Sequence, residues 1–163
     1  LYFLGKEENN MNDCVEIVAT INFGGHALDV YDSLDEPLFK AVDVAKIIDY
    51  SMGKTWRMLD LCEDDEKLNL QIVGLGQRRW AMFVTEMGLY NILSHSSKPI
   101  ARKWRRVVHQ ELIDLRRSRN LDFVQQMQQW GSLMDDIFFD DEGRMWQSVT
   151  VTGGDVEQRI YKG

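Results

Sequence analysis

Between Val15 and Val84 apolar and polar residues alternate along four stretches, and beyond Glu86 the apolar positions recur at helical spacing. Val15 to Phe23 (VEIVATINF) is rich in β-branched residues, Gly24-Gly25 is a turn signal, and His26 to Tyr31 (HALDVY) alternates again. The two predict a hairpin. Leu38 to Lys40 predicts a short strand. Asp43 stands where it would cap a helix Val44 to Ile48, and Ser51 where it would cap a second near Lys54 to Leu61. Glu36 to Ser51 thus reads as a strand turning into the kind of helix that begins a helix-turn-helix. Glu63 to Glu66 predicts a solvated loop. Lys67 to Val73 and Arg79 to Val84 flank GLGQ and predict a second hairpin, with Arg78 and Arg79 at its tip. Thr85 or Ser97 is placed to start the helices Glu86 to His95 and Lys98 to Arg119, with Pro99 in a first turn.

On a helical wheel, Lys98 to Arg119 divides cleanly. Ile100, Ala101, Trp104, Val107, Val108, Leu112 and Leu115 share one sector, and Arg102, Lys103, Arg105, Arg106, His109, Arg116 and Arg117 lie opposite. The plain interpretation is a surface helix docked on the core with its charges in water. Against it, the basic face has almost no acidic i,i+4 partners and carries Ile113 at its centre, as a contacting face would. Farther on, Phe123, Met127, Trp130 and Met134 form an apolar stripe that is either core or a seam for a partner or a second copy. Ile137 to Phe139, a DDEG turn and Met145 to Val151 predict a third hairpin, broken by Gly153-Gly154. The fold class is α+β: small antiparallel hairpins packed with several helices, including a helix-turn-helix-like pair and one long basic amphipathic helix.

Charge sharpens this picture. The 163-residue chain carries a formal net charge of -7, which alone argues against a polyanion as partner. The average hides a segregation, because residues 98 to 119 hold eight basic and two acidic side chains, whereas residues 120 to 163 hold three basic and eight acidic. A local basic stripe suffices for an electrostatic footprint on phosphate. Cys14 and Cys62 are too few and too far apart for a zinc knuckle, a redox pair or a disulfide framework, and are expected as buried small hydrophobes. No apolar run is long enough to cross a bilayer and no signal peptide is evident, so a soluble protein in the cytoplasm is expected. Leu1 to Gly5 (LYFLG) is close to the remnant of an engineered protease-cleavage tag. Residues 1–12 are set aside with it as a flexible N-terminus.

Catalytic patterns are weak. His26, His95 and His109 lack metal-ligand spacing, Ser94, Ser96 and Ser97 lack a nucleophile elbow, and GLGQRR is neither a dinucleotide nor a P-loop motif. The acids Asp135, Asp136, Asp140, Asp141 and Glu142 lack the alternating spacing of a calcium loop, so no metal is expected.

The run EPLFKAVDVAKIIDYS, the acidic stretch ending in Lys67, GQRRWAMFVTEMGLYNIL, SSKPIARKWRR and Glu111 to Arg117, in that order, resembles the BRO family N-terminal domain (Bro-N). The resemblance covers roughly Gly24 to Arg117. It implies an α+β module of viral or prophage origin, of the antirepressor kind, that binds DNA and regulates genes, with no cofactor and no established enzymatic chemistry. Two departures bear on structure: Asp49 replaces a Gly at the end of the first helix, and Asp114 replaces a Pro, so the long helix need not stop there. The domains expected are 13–119, Bro-N-like, and 120–163, a helix plus hairpin appendage. The residues expected at DNA, in double-stranded form, are Lys54, Trp56, Arg57, Arg78, Arg79, Arg102, Lys103, Arg105, Arg106 and Arg116. The alternative is a protein-interaction module, an antirepressor or host-interference factor, that binds a repressor or host protein, with Phe123, Met127, Trp130 and Met134 as partner or homodimer contacts.

Overall fold

A computed structural model describes residues 14–150 and 156–160. The tag-like N-terminus and the Gly153-Gly154 break lie outside the described residues. The chain divides into two compact units, one ending at Ala101 and the other beginning at Arg102.

The first unit is built on five antiparallel strands. They are β1 (Ile17–Phe23), β2 (His26–Asp32), β3 (Pro37–Lys40), β4 (Lys67–Gly74) and β5 (Gln77–Thr85), ordered β1-β2-β3-β5-β4. The first hairpin forms as the alternation predicts. Gly24 and Gly25 both take positive φ, and the Gly25 amide donates to the Asn22 side chain at 2.9 Å. A Cβ on Gly24 would also lie 2.8 Å from Ile100, so this tip passes close to the start of the long helix.

Register sorts the side chains into two layers. Phe39 pairs with Val84, and this face, with Leu28 and Val30, is buried beneath two helices, α1 (Ala41–Ile48) and α3 (Glu86–His95). These helices contribute Val44, Ala45, Ile48, Leu89, Ile92 and Leu93. The opposite face gathers Tyr31, Leu38 and Phe83, with the Tyr31 and Phe83 rings edge to face at 5.0 Å. What covers this face is the sheet itself. Val15 donates to the Gln71 carbonyl of β4 (3.1 Å), and Glu16 accepts from Asp32 of β2 (3.0 Å). Residues 14–16 therefore bridge the far strand of the sheet and its second strand. The sheet curls toward closure, with Val15, Leu70, Ile72 and Ala81 lining the inner cluster.

The local capping differs from the sequence expectation. Helix α1 begins at Ala41, not Val44, and Lys40 at its N-cap makes no side-chain cap. Asp43 instead sits in the first turn and pairs with Lys46 at 3.3 Å. Asp49 does take the left-handed conformation (φ 68°), and Tyr50 donates to Ala45 at 2.8 Å to close the helix end. Ser51 precedes a 3-10 turn, Met52–Lys54, without capping it, and the second helix is the short α2 (Thr55–Leu59). Thr85 caps α3 by accepting from the Gly88 amide at 3.1 Å.

The acidic run is solvated only in part, with Glu63, Asp64 and Asp65 exposed. Residues Asp64–Glu66 form a 3-10 turn in which Glu66 is buried, caps the Glu63 amide (2.8 Å) and accepts from the Asn91 side chain (2.8 Å). Helix α3 crosses this turn so closely that a Cβ on Gly88 would meet the Glu66 carbonyl at 2.9 Å. Cys62 is buried beside it and donates to the Gly88 carbonyl. Its thiol is pushed up to about 11, first by burial and then by the Glu66 charge. Cys14 is only half-buried, in the bridging segment.

The long helix α4 (Pro99–Ser118) enters the second unit and runs straight through Asp114. Its C-terminus is closed by Asn120 in the left-handed region, with the Leu121 amide on the Arg116 carbonyl (3.2 Å). Asp122 then opens α5 (Phe123–Asp135) with a reciprocal capping box to Gln125. The unit ends in a three-stranded antiparallel sheet, β6 (Ile137–Phe139), β7 (Met145–Thr150) and β8 (Val156–Ile160), so the expected hairpin gains a third strand. Asp140 organises the β6–β7 turn. It accepts from Trp146 Nε1 (2.8 Å) and from the Arg144 guanidinium (2.7 Å), and these donors hold its carboxyl well below the usual carboxylate range.

Among the described residues no helix is long and apolar enough to cross a membrane.

Candidate nucleic-acid interface

Three basic patches follow from this fold, and α4 carries the largest. Helical periodicity sets Arg102, Arg105, Arg106, His109, Gln110 and Ile113 on one face, where they line an open concavity of about 570 Å³. Arg102, Lys103 and Arg106 are exposed and make no ion pair among the described residues. Arg105 is half-buried and already engaged. Lys103 lies outside the concavity. Arg116 is turned to another task, its Nη1 donating to the Leu121 carbonyl at 3.0 Å, so part of its donor fork secures the end of the helix. Guanidinium groups of this kind can give charge-assisted hydrogen bonds to anionic oxygens, and the apolar Ile113 lies among them.

The second patch is α2. Lys54, at the end of the preceding 3-10 turn, and Trp56 and Arg57 of the helix itself face solvent, with the Arg57 guanidinium stacked over the Trp56 ring at 5.1 Å. At five residues it is shorter than the helix expected there.

The third is the β4–β5 hairpin, where the sequence expectation needs correction. The turn consists of Leu75 and Gly76 alone, and Arg78 and Arg79 lie within β5, opposite Val73 and Ile72. As consecutive strand residues they face opposite sides, so a single docking surface takes only one of them. The tip itself is Leu75, 95% exposed and held at φ 52°. Nothing in the sequence marks it, since a leucine is a poor turn residue. His109 and Gln110 were also missed as site residues, although their spacing from Arg102 and Arg106 places both on the basic face.

A larger concavity, about 920 Å³, opens beside the bridging segment 14–16. Its charged lining is Glu16 and Asp32, the wrong sign for phosphate.

The apolar sector of α4 departs from a docked surface helix. Ala101 is buried and Trp104 and Val108 are half-buried, but Val107, Leu112 and Leu115 remain exposed.

No curated protein and no solved structure matches the chain. Residues 27–114, from the first strand pair to the basic face of α4, match the BRO family N-terminal domain, associated with phage and viral BRO proteins and antirepressors, and the chain belongs to that family.

Proposed function

We propose that this protein is a phage or viral transcriptional regulator of the antirepressor type that binds double-stranded DNA, with no catalytic chemistry of its own. The observation that carries the reading is the convergence of Arg102, Arg105, Arg106 and His109 around one concavity, on the one stretch of the chain whose net charge is strongly positive. In this reading α4 neutralises backbone phosphates, while Trp56 and Arg57 of α2 and one arginine of the β4–β5 hairpin add contacts of their own. About five phosphates neutralised in this way give a logarithmic salt slope of roughly -4.5. Fluorescence anisotropy on a labelled duplex over 50–300 mM salt measures it. An affinity indifferent to salt, or no binding at the low end, refutes DNA as the partner.

A second reading, a module that grips a repressor or host protein, is favoured by the exposed apolar face of α5, where Phe123 and Met134 are 66% and 62% exposed. Failure of the salt experiment would move it to first place.

A further inference from the structure

We propose that α4 and α5 form a homodimerisation surface, in which each copy lays its two-helix apolar face against that of a second copy. On α4 the face consists of Val107, Leu112 and Leu115, one to two turns apart. On α5 it consists of Phe123, Met127, Trp130 and Met134, whose 4-3-4 spacing keeps them on one stripe.

The area is that of a dimer interface. These residues expose between 39% and 66% of their surface. With full areas of roughly 150–250 Å² each, they offer roughly 700 Å² per copy, close to the ~800 Å² per partner of a standard stable interface. An isolated folded domain rarely leaves so much apolar surface in water.

Geometry makes the face a ready docking surface. The turn between the helices is fixed at both ends, by the left-handed Asn120 with the Leu121 amide on Arg116, and by the Asp122–Gln125 capping box. Little ordering entropy is then lost on association.

Charge permits a second copy. Between Phe123 and Met134 α5 carries no charged side chain, and the basic residues of α4 lie away from its apolar sector, so two copies meet along this face without like-charge repulsion. A two-fold axis repeats that contact, giving four helices around one apolar seam. The basic face of α4 lies opposite the seam and stays open in both copies, so the dimer would offer two DNA-binding faces related by two-fold symmetry.

Sedimentation equilibrium of the full chain without DNA tests this, whatever becomes of the DNA reading. The expected species at about 1–50 μM is twice the 19.0 kDa chain mass. Met127→Glu with Trp130→Glu should yield a folded monomer, with far-UV circular dichroism unchanged and dimer dissociation at least about 100-fold easier. Val107→Glu with Leu115→Glu, on the other helix, should do the same, so either pair decides if the other fails to fold. A parent mass of one chain, or of more than two, across the range would overturn the proposal. So would an undiminished dimer in a folded variant of either pair.

Discussion

Removing Arg102 and Arg106 together is the sharpest test of the basic face. Both guanidiniums are exposed, neither is ion-paired among the described residues, and both line the concavity around Ile113. Arg102→Ala with Arg106→Ala should therefore change stability by no more than about 0.5 kcal/mol per site, the usual range for surface substitutions. The effect on DNA should be large. Each phosphate contact contributes about 0.9 to the salt slope, so losing two moves a slope of roughly -4.5 to roughly -2.7. At 0.1 M salt each contact's counterion release is worth about 8-fold in affinity, so the pair should weaken binding roughly 60-fold. Anisotropy titrations of parent and variant over one salt series measure both quantities, with thermal melting as the fold control. Lys46→Ala, which removes a lysine paired with Asp43, should leave the slope alone. An unchanged slope in the double variant would refute the assignment of this face to phosphate. A slope lost equally in the Lys46 variant would show that only overall charge matters.

Two further outcomes follow from the packing. Gly88→Ala should destabilise the domain by about 1–3 kcal/mol in chemical denaturation, because the added methyl meets the Glu66 carbonyl, a backbone atom that cannot rotate away; a neutral result would mean that α3 is free to shift. Asp140, with its carboxyl depressed by Trp146 and Arg144, stabilises the β6–β7 turn in its ionised form. That contribution is complete above the unfolded carboxylate value near ~3.9 and is lost as pH falls through the lower folded value, so the near-UV signal of Trp146 should fade below about pH 4, and should already be weak at pH 7 in Asp140→Asn.

The two N-terminal hairpins were legible because alternation and turn residues are local signals, and Gly24-Gly25 marks its turn without help from tertiary structure. Long-range effects were not. Asp43 is a good capping residue by type, yet the helix starts three residues before Val44, since Ala41 is buried and packing outweighs a cap. Glu66 reads as one more acid in a charged run, and only the fold brings Asn91 to it. At the candidate site, the wheel separated the basic and apolar sectors of α4 correctly because both are periodic. It could not tell that Val107, Leu112 and Leu115 stay exposed, since periodicity reports that a face wants burial and not what buries it. The Arg78-Arg79 pair lies in β5 because the turn needs only Leu75 and Gly76, whereas GLGQRR reads as one six-residue loop.

The bridging segment 14–16 also bears on the order in which the domain assembles. Hairpins β1–β2 and β4–β5 join residues near in sequence and close cheaply, whereas the Val15 to Gln71 bond waits until both hairpins and the helices between them are placed. It carries the greatest loop-closure cost in the sheet and, although Val15 packs on the inner cluster, it joins only residues 14–16 to the sheet, so it is expected to be the last contact to form and the first to release. When it lets go, the Tyr31, Leu38 and Phe83 cluster is uncovered along one seam while the layer under α1 and α3 stays shut. The weakest point of the domain is therefore its N-terminal entry, and the stability of the whole sheet is sensitive to whatever is attached there.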